Sequence, residues 1–145
     1  ANKDLLKIVP PNSILTPHLK EFERLFGESG NHFSRLDLLR AMAVDYKLNI
    51  ILKGAHTAIA TPSGDIFFNT TGNPGMATGG SGDVLTGILT SLLAQGYSPL
   101  DASLLGVYIH GLAGDIASKE TGQESLIASD IISNLGKAFL TMNSL

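Results

Sequence analysis

Apolar positions follow two rhythms along this chain. Ile50-Ile51-Leu52, inside Asn49–Lys53, is an unbroken apolar run of the kind found in strands buried on both faces. Ser13–Thr16 reads as a short buried strand ending at Pro17, and Thr57–Thr61 and Ile66–Asn69 read as two more. Pro62-Ser63-Gly64-Asp65 between the last two is a hairpin turn. Elsewhere the spacing is helical. From His18 to Phe26, Leu19, Phe22, Leu25 and Phe26 share one side, and Gly27 is the stop. After a loop at Gly30-Asn31-His32, Ser34 reads as an N-cap with Asp37 as a weaker capping-box partner, opening a helix to about Tyr46. Val84, Leu85, Ile88, Leu89, Leu92 and Leu93 mark a third helix that ends at Gln95-Gly96. Ser98-Pro99-Leu100-Asp101 supplies an N-cap, a proline at N1 and an acid at N3 for a fourth, apolar nearly all round, that runs to about Thr121 and stops at Gly122. A last helix begins near Ser129-Asp130 and uses Ile131, Ile132, Leu135 and Phe139. Asp4–Val9 has the look of a short helical remnant closed by Pro10-Pro11. The order is that of an open α/β unit with a mixed sheet. No repeat or linker interrupts it, so residues 1–145 are expected to form a single unit.

Composition narrows what the unit does. Hydrophobic residues make up 43% of the 145, enough for one domain with a core. No run is long enough to span a bilayer, and nothing at the start resembles a signal peptide. A net charge of −3 with 10 basic residues gives no basic field for nucleic acid. Without cysteine there are no disulfides or thiolate metal sites, which suits a cytoplasmic location. The chain opens on Ala1 rather than Met, in a polar segment, and is therefore expected to be part of a longer protein.

The candidate chemistry gathers at Gly72–Gly87, where 6 of 16 residues are glycine and the stretch runs straight into the third helix. A glycine-rich turn that opens a helix lets unpaired N–H groups converge without Cβ clashes, and the helix dipole adds partial positive charge. Together they suit a phosphate. The spacing is neither the Gly-x4-Gly-Lys-Ser/Thr loop nor the dinucleotide fingerprint, and a plain structural turn remains the alternative. Asp83 is the acid at this point, in the first helical turn. It is either an acid favoured by the dipole or a base that accepts a proton from an attacking hydroxyl.

Asn73-Pro74-Gly75-Met76-Ala77-Thr78-Gly79-Gly80-Ser81-Gly82-Asp83-Val84-Leu85-Thr86-Gly87 resembles the signature of the ADP/ATP-dependent NAD(P)H-hydrate dehydratases, in the ribokinase-like superfamily. Leu15-Thr16-Pro17-His18, Leu52-Lys53-Gly54-Ala55-His56-Thr57 and His110-Gly111-Leu112-Ala113-Gly114-Asp115 extend the resemblance from about Ile14 to about Leu135. It implies the C-terminal half of a ribokinase-like α/β domain, with a mixed, mostly parallel sheet flanked by helices. It also implies a carbon–oxygen lyase that uses ADP or ATP, with Mg2+ carried by the nucleotide, to phosphorylate the ring hydroxyl of hydrated NADH or NADPH. Loss of phosphate then restores the cofactor.

Residue by residue, the resemblance makes Gly79, Gly80, Ser81 and Gly82 the anion hole and Asp83 the catalytic base and substrate contact. Lys53, Gly54, Ala55, His56 and Thr57 become, with Gly82, the nucleotide contacts, and His18 a second substrate contact. The family continues Thr-Pro-His with Pro-Gly-Glu, where this chain has Leu19-Lys20-Glu21. Outside the resemblance, a lysine at a strand end is often only solvated, and His18 and His56 read as ordinary loop or helix-start residues. His110 and Asp115 read as structural, and no histidine–carboxylate spacing argues for a protein-held metal. The expected partner is a small molecule, with no nucleic acid and no membrane, in a homo-oligomer. Two alternatives stand beside the dehydratase: a small-molecule hydroxyl kinase of the same superfamily, and a non-catalytic nucleotide-binding fragment. The 145 residues alone are expected to be inactive and to self-associate through surface left uncovered.

Overall fold

Connection length decides how the strands pair. In the computed structural model, which describes residues 3–143, β1 (Ile14–Leu15) leads through helices α1 (Leu19–Phe26) and α2 (His32–Tyr46) to β2 (Asn49–Leu52). This long helical crossover lets β1 and β2 lie parallel, with Ile14 opposite Asn49. The links from β2 to β3 (Ala58–Ala60) and from β3 to β4 (Ile66–Phe68) are too short for a crossover, so both pairs are antiparallel. The sheet, in order β1-β2-β3-β4, is mixed as expected, but its pairings are mostly antiparallel; the expectation of a mostly parallel sheet is corrected for these strands. The predicted hairpin turn is present: Gly64 N–H donates to Thr61 O at 3.0 Å, and Thr61 N–H to Asp65 O at 3.0 Å.

The chain divides by contact into two compact units, the first ending at Phe68 and the second starting at Asn69. In the first, all four residues of β2 are buried, and Phe22, Leu39, Ala43, Leu48 and Ile50 form a core under α1 and α2. The Phe22 and Phe26 rings pack at 5.0 Å between centroids. A 3-10 turn over Lys3–Ile8 stands where a helical remnant was expected. Helix α2 begins earlier than the Ser34 cap predicts. Asn31 is its N-cap: Asn31 Oδ1 accepts from Ser34 N at 2.9 Å, and Ser34 Oγ accepts from Asn31 N at 3.1 Å. Ser34 is therefore the capping-box partner at N3, and His32 belongs to the helix rather than to a loop.

The second unit holds a loop with a 3-10 turn at Pro74–Met76, then α3 (Ser81–Ala94), α4 (Pro99–Thr121) and α5 (Ala128–Met142). Helix α4 has the predicted cap, with Asp101 N–H donating to Ser98 Oγ at 3.1 Å, and Gly122 ends it. It packs against both α3 and α5, and Ile109, Ala113 and Ala117 meet Leu126, Ile131 and Ala138 in this unit's core. Among the described residues no helix is long and apolar enough to cross a membrane.

One ion pair joins α4 to α5: the Lys137 ammonium hydrogen-bonds the Glu120 carboxylate and holds it below the ordinary carboxylate range. A carboxyl lowered in the folded state adds stability above its unfolded pKa and loses it as pH falls through the folded one. Both side chains are about half exposed, at 55% and 50%, so the effect is small. Glu120→Gln is expected to lower the melting temperature slightly at neutral pH, and not at all in acid below the folded-state pKa. A difference from the parent that does not change with pH would contradict this.

Candidate functional site

Helix α3 starts without a side-chain cap. Its N-cap is Gly80, at φ +87° and ψ −14°, a left-handed conformation that glycine adopts without strain. A Cβ there would also stand 3.2 Å from the Cβ of Ala128. Ser81 N–H donates to Thr78 O at 3.4 Å, and Asp83 N–H to Gly80 O at 3.0 Å. The N–H groups of Gly79, Gly80 and Gly82 make no backbone hydrogen bond among the described residues. A helix start left open in this way, at the positive end of the dipole, can take up an anion. Asp83 lies in the first turn, exposed, and is the acid of that turn.

Ser81 turns inward instead. It is 6% exposed, and His110 Nε2 on α4 reaches its carbonyl oxygen at 3.0 Å and its hydroxyl at 3.4 Å. The carbonyl can only accept, so Nε2 carries the proton in this contact. Sequence reasoning read His110 and Asp115 as structural. In the fold, what they hold is the glycine loop, with Asp115 accepting from Gly72 N–H at 2.8 Å.

Beside the loop, α3 and α5 line an apolar groove of about 700 Å³. Gly80 and Asp83 stand at one end, Val84, Gly87 and Ile88 follow along α3, and Ala128, Ile132, Leu135 and Phe139 form the α5 wall. The spacing of that wall is one helical face. The apolar pattern alone did not separate these residues from core. Ile132 is 56% exposed, whereas its neighbour Ile131 is fully buried. A signal was present in Gly87. Glycine inside a helix costs about 0.5–1 kcal/mol relative to alanine. Here nothing in the protein demands it, because a Cβ at Gly87 would have nothing within 4 Å.

In the first unit the remaining candidates cluster at the end of β2. Lys53 pairs with His18 in a parallel bridge, and its N–H donates to Pro17 O at 2.9 Å. Gly54, Ala55 and His56 form an exposed turn, closed by Thr57 Oγ1 donating to Gly54 O at 3.2 Å. His18 is the N-cap of α1: Nδ1 accepts from Glu21 N at 3.3 Å, and Glu21 Oε2 accepts from His18 N at 2.8 Å. That capping box spans the Leu19-Lys20 departure noted in the sequence. Among the described residues no group of three His, Asp or Glu stands together as a metal site.

A family model described as NAD(P)H-hydrate dehydratase matches residues 3–137. The chain belongs to the NAD(P)H-hydrate dehydratase family. Over 128 residues it is 47% identical to the bifunctional NAD(P)H-hydrate repair enzyme of Thermofilum pendens, a match covering 87% of this chain and 24% of that one. It resembles the ADP/ATP-dependent NAD(P)H-hydrate dehydratase of Bacillus subtilis, co-crystallised with ATP and Mg2+, at a TM-score of 0.83 and 35% identity. That match covers 90% of this chain and 48% of the other, so the chain spans just under half the length of the dehydratase and about a quarter of the repair enzyme. Arabidopsis thaliana ribokinase matches at a TM-score of 0.56 and 15% identity, over 92% of this chain and 43% of that one, which shows the fold alone. The family and the ribokinase-like α/β class expected from the glycine signature are both met.

Proposed function

We propose that this dehydratase-family chain forms the C-terminal part of a catalytic domain, and supplies the phosphate cradle and base for ADP- or ATP-dependent dehydration of hydrated NADH or NADPH. The observation that carries the reading is the open start of α3: unbonded N–H groups at Gly79, Gly80 and Gly82, with Asp83 one residue on and an apolar groove alongside. The N–H groups stabilise charge on the transferring phosphoryl group, and the groove takes the adenine. Lys53 adds a point charge for phosphate, with the Gly54–Thr57 turn against the nucleotide and His18 toward the substrate.

Asp83 orients the ring hydroxyl and accepts its proton as the oxygen attacks the terminal phosphorus. The bond from that phosphorus to the nucleotide breaks, leaving AMP from ADP or ADP from ATP. The C–O bond to phosphate then breaks, pushed by the ring-nitrogen electron pair, and loss of a proton from the adjacent ring carbon restores the nicotinamide double bond. Magnesium, when bound, shields the phosphate charge. A site offering one carboxylate suits an ion that arrives with the nucleotide and keeps its water. The reading extends to a cytoplasmic homo-oligomer acting on a small molecule, with neither nucleic acid nor membrane as a partner.

The test is product analysis with the natural protein, ADP, Mg2+ and hydrated NADPH. The reading expects restored NADPH absorbance together with AMP and phosphate in equal amounts. A stable phosphorylated alcohol would make the protein a kinase, and ADP binding without turnover would make it a binding module. Gly87→Leu probes the groove separately. Apo stability is expected to rise by up to about 1 kcal/mol from helix propensity, while ADP affinity falls by roughly tenfold, the loss of about 1.4 kcal/mol of contact. Calorimetry showing unchanged affinity would remove the adenine from this groove.

A further inference from the structure

Asp115 grips the glycine loop with both carboxylate oxygens. Oδ2 accepts from Gly72 N–H at 2.8 Å, and Oδ1 accepts from Asn73 Nδ2 at 3.0 Å. Asn73 passes the constraint on, because its Oδ1 accepts from Gly75 N–H at 3.1 Å. The orientation of the Asn73 amide is unambiguous. A carboxylate can only accept and a backbone N–H can only donate, so Nδ2 must face Asp115 and Oδ1 must face Gly75. The 3-10 turn that follows is closed by Met76 N–H to Asn73 O and Ala77 N–H to Pro74 O, each at 3.1 Å. The clamp at Gly72–Gly75 thereby continues through the turn to Ala77, two residues before the cradle. At the cradle's other side His110 holds Ser81. His110 and Asp115 are five residues apart, about 140° around a helix, yet both reach the same loop from α4.

We propose that Asp115, acting through Asn73, is the positioning residue that sets where the Gly79–Asp83 cradle stands. Its assignment to catalysis rests on the dehydratase reading above. Asp115 touches neither nucleotide nor substrate in this account. It fixes the register of N–H groups that must meet developing charge, and a misplacement of 1 Å there costs about a hundredfold in rate.

The donor–acceptor pattern gives a chemical test. In Asp115→Asn the new amide can still accept from Gly72 N–H, but it then presents its NH2 to the NH2 of Asn73. Turning Asn73 over relieves that clash and takes its oxygen away from Gly75 N–H. One contact is lost either way. In Asn73→Asp, two carboxylates face each other. In the double variant Asn73→Asp/Asp115→Asn the pattern is whole again: residue 73 accepts from Gly75 N–H and from the residue 115 amide, which accepts from Gly72.

The experiment measures kcat, KM for ADP and melting temperature for the natural protein and these three variants, with rates expressed per folded active site. Asp115→Asn is expected to lower kcat by about a hundredfold with KM for ADP within a few-fold, and the double variant to recover most of that loss. Parental kcat in Asp115→Asn, or a double variant no better than Asp115→Asn, would overturn the proposal. So would a loss seen only in melting temperature, which marks a merely structural contact. If the natural protein turned over no hydrate, the dehydratase reading would fall and the clamp would be judged by amide hydrogen exchange. Faster exchange at Gly79–Asp83 in Asp115→Asn, reversed in the double variant, supports it, and unchanged exchange overturns it.

Discussion

Asp83→Asn in the natural protein is expected to lower turnover by about a hundred- to ten-thousand-fold, the range of a positioned acid–base group, while ADP still binds. The substitution keeps the size of the side chain and removes its charge and its capacity to take the hydroxyl proton. Nothing proposed to hold phosphate changes, since the N–H groups of Gly79, Gly80 and Gly82 belong to the backbone and Lys53 is untouched. Affinity for ADP is expected to stay level or to tighten slightly, because a carboxylate facing phosphates is gone. The fold is not at stake, as Asp83 is exposed and the start of α3 is set by Gly80. Single-turnover rate and ADP affinity measured on the same samples separate the two effects. Near-parental turnover would reduce Asp83 to a helix-start acid.

Gly111→Ala is expected to destabilise the protein by about 1–3 kcal/mol, the usual cost of overpacking, and to carry the glycine loop away with it. A Cβ on Gly111 would stand 2.7 Å from the carbonyl carbon of Thr71 and 2.8 Å from its oxygen. Those are backbone atoms and cannot rotate aside. They are also tied down, with Thr71 Oγ1 donating to Tyr108 O at 2.9 Å and Gly72 N–H held by Asp115. Gly136→Ala on α5 is the matched control: nothing lies within 4 Å of its added carbon, so it is expected to stabilise by up to about 1 kcal/mol. Denaturant unfolding that ranks the two variants equally would contradict the packing of the loop on α4.

Local signals were legible in the sequence, and distant pairings were not. Ser98, Pro99, Asp101 and Gly122 bound α4 as their chemistry dictates, because a cap depends on atoms three or four residues away. The start of α2 was misplaced because Asn31 and Ser34 are both good capping residues, and only the reciprocal bonds show which one caps. Antiparallel pairing of β2 with β3 follows from their short link, and the expectation of a mostly parallel sheet came from the family resemblance rather than from these strands. Gly79–Asp83 stood out through glycine density at a helix start. The roles of His110 and Asp115 did not, because their partners lie 29 and 43 residues away. The groove was hidden for a related reason. Helix α5 has more apolar positions than one stripe needs, and packing against α4 decides that Ile131 is core while Ile132 lines open space.

In the proposed function, the open start of α3 binds the phosphates of an adenine nucleotide with the base in the adjoining groove. Amide chemical shifts followed through an ADP titration test it most directly. Gly79, Gly80, Gly82 and Asp83 are expected to shift saturably with one dissociation constant, shared by the groove residues Gly87 and Ile132. Saturable binding that leaves these amides unmoved, with the shifts elsewhere, would contradict it.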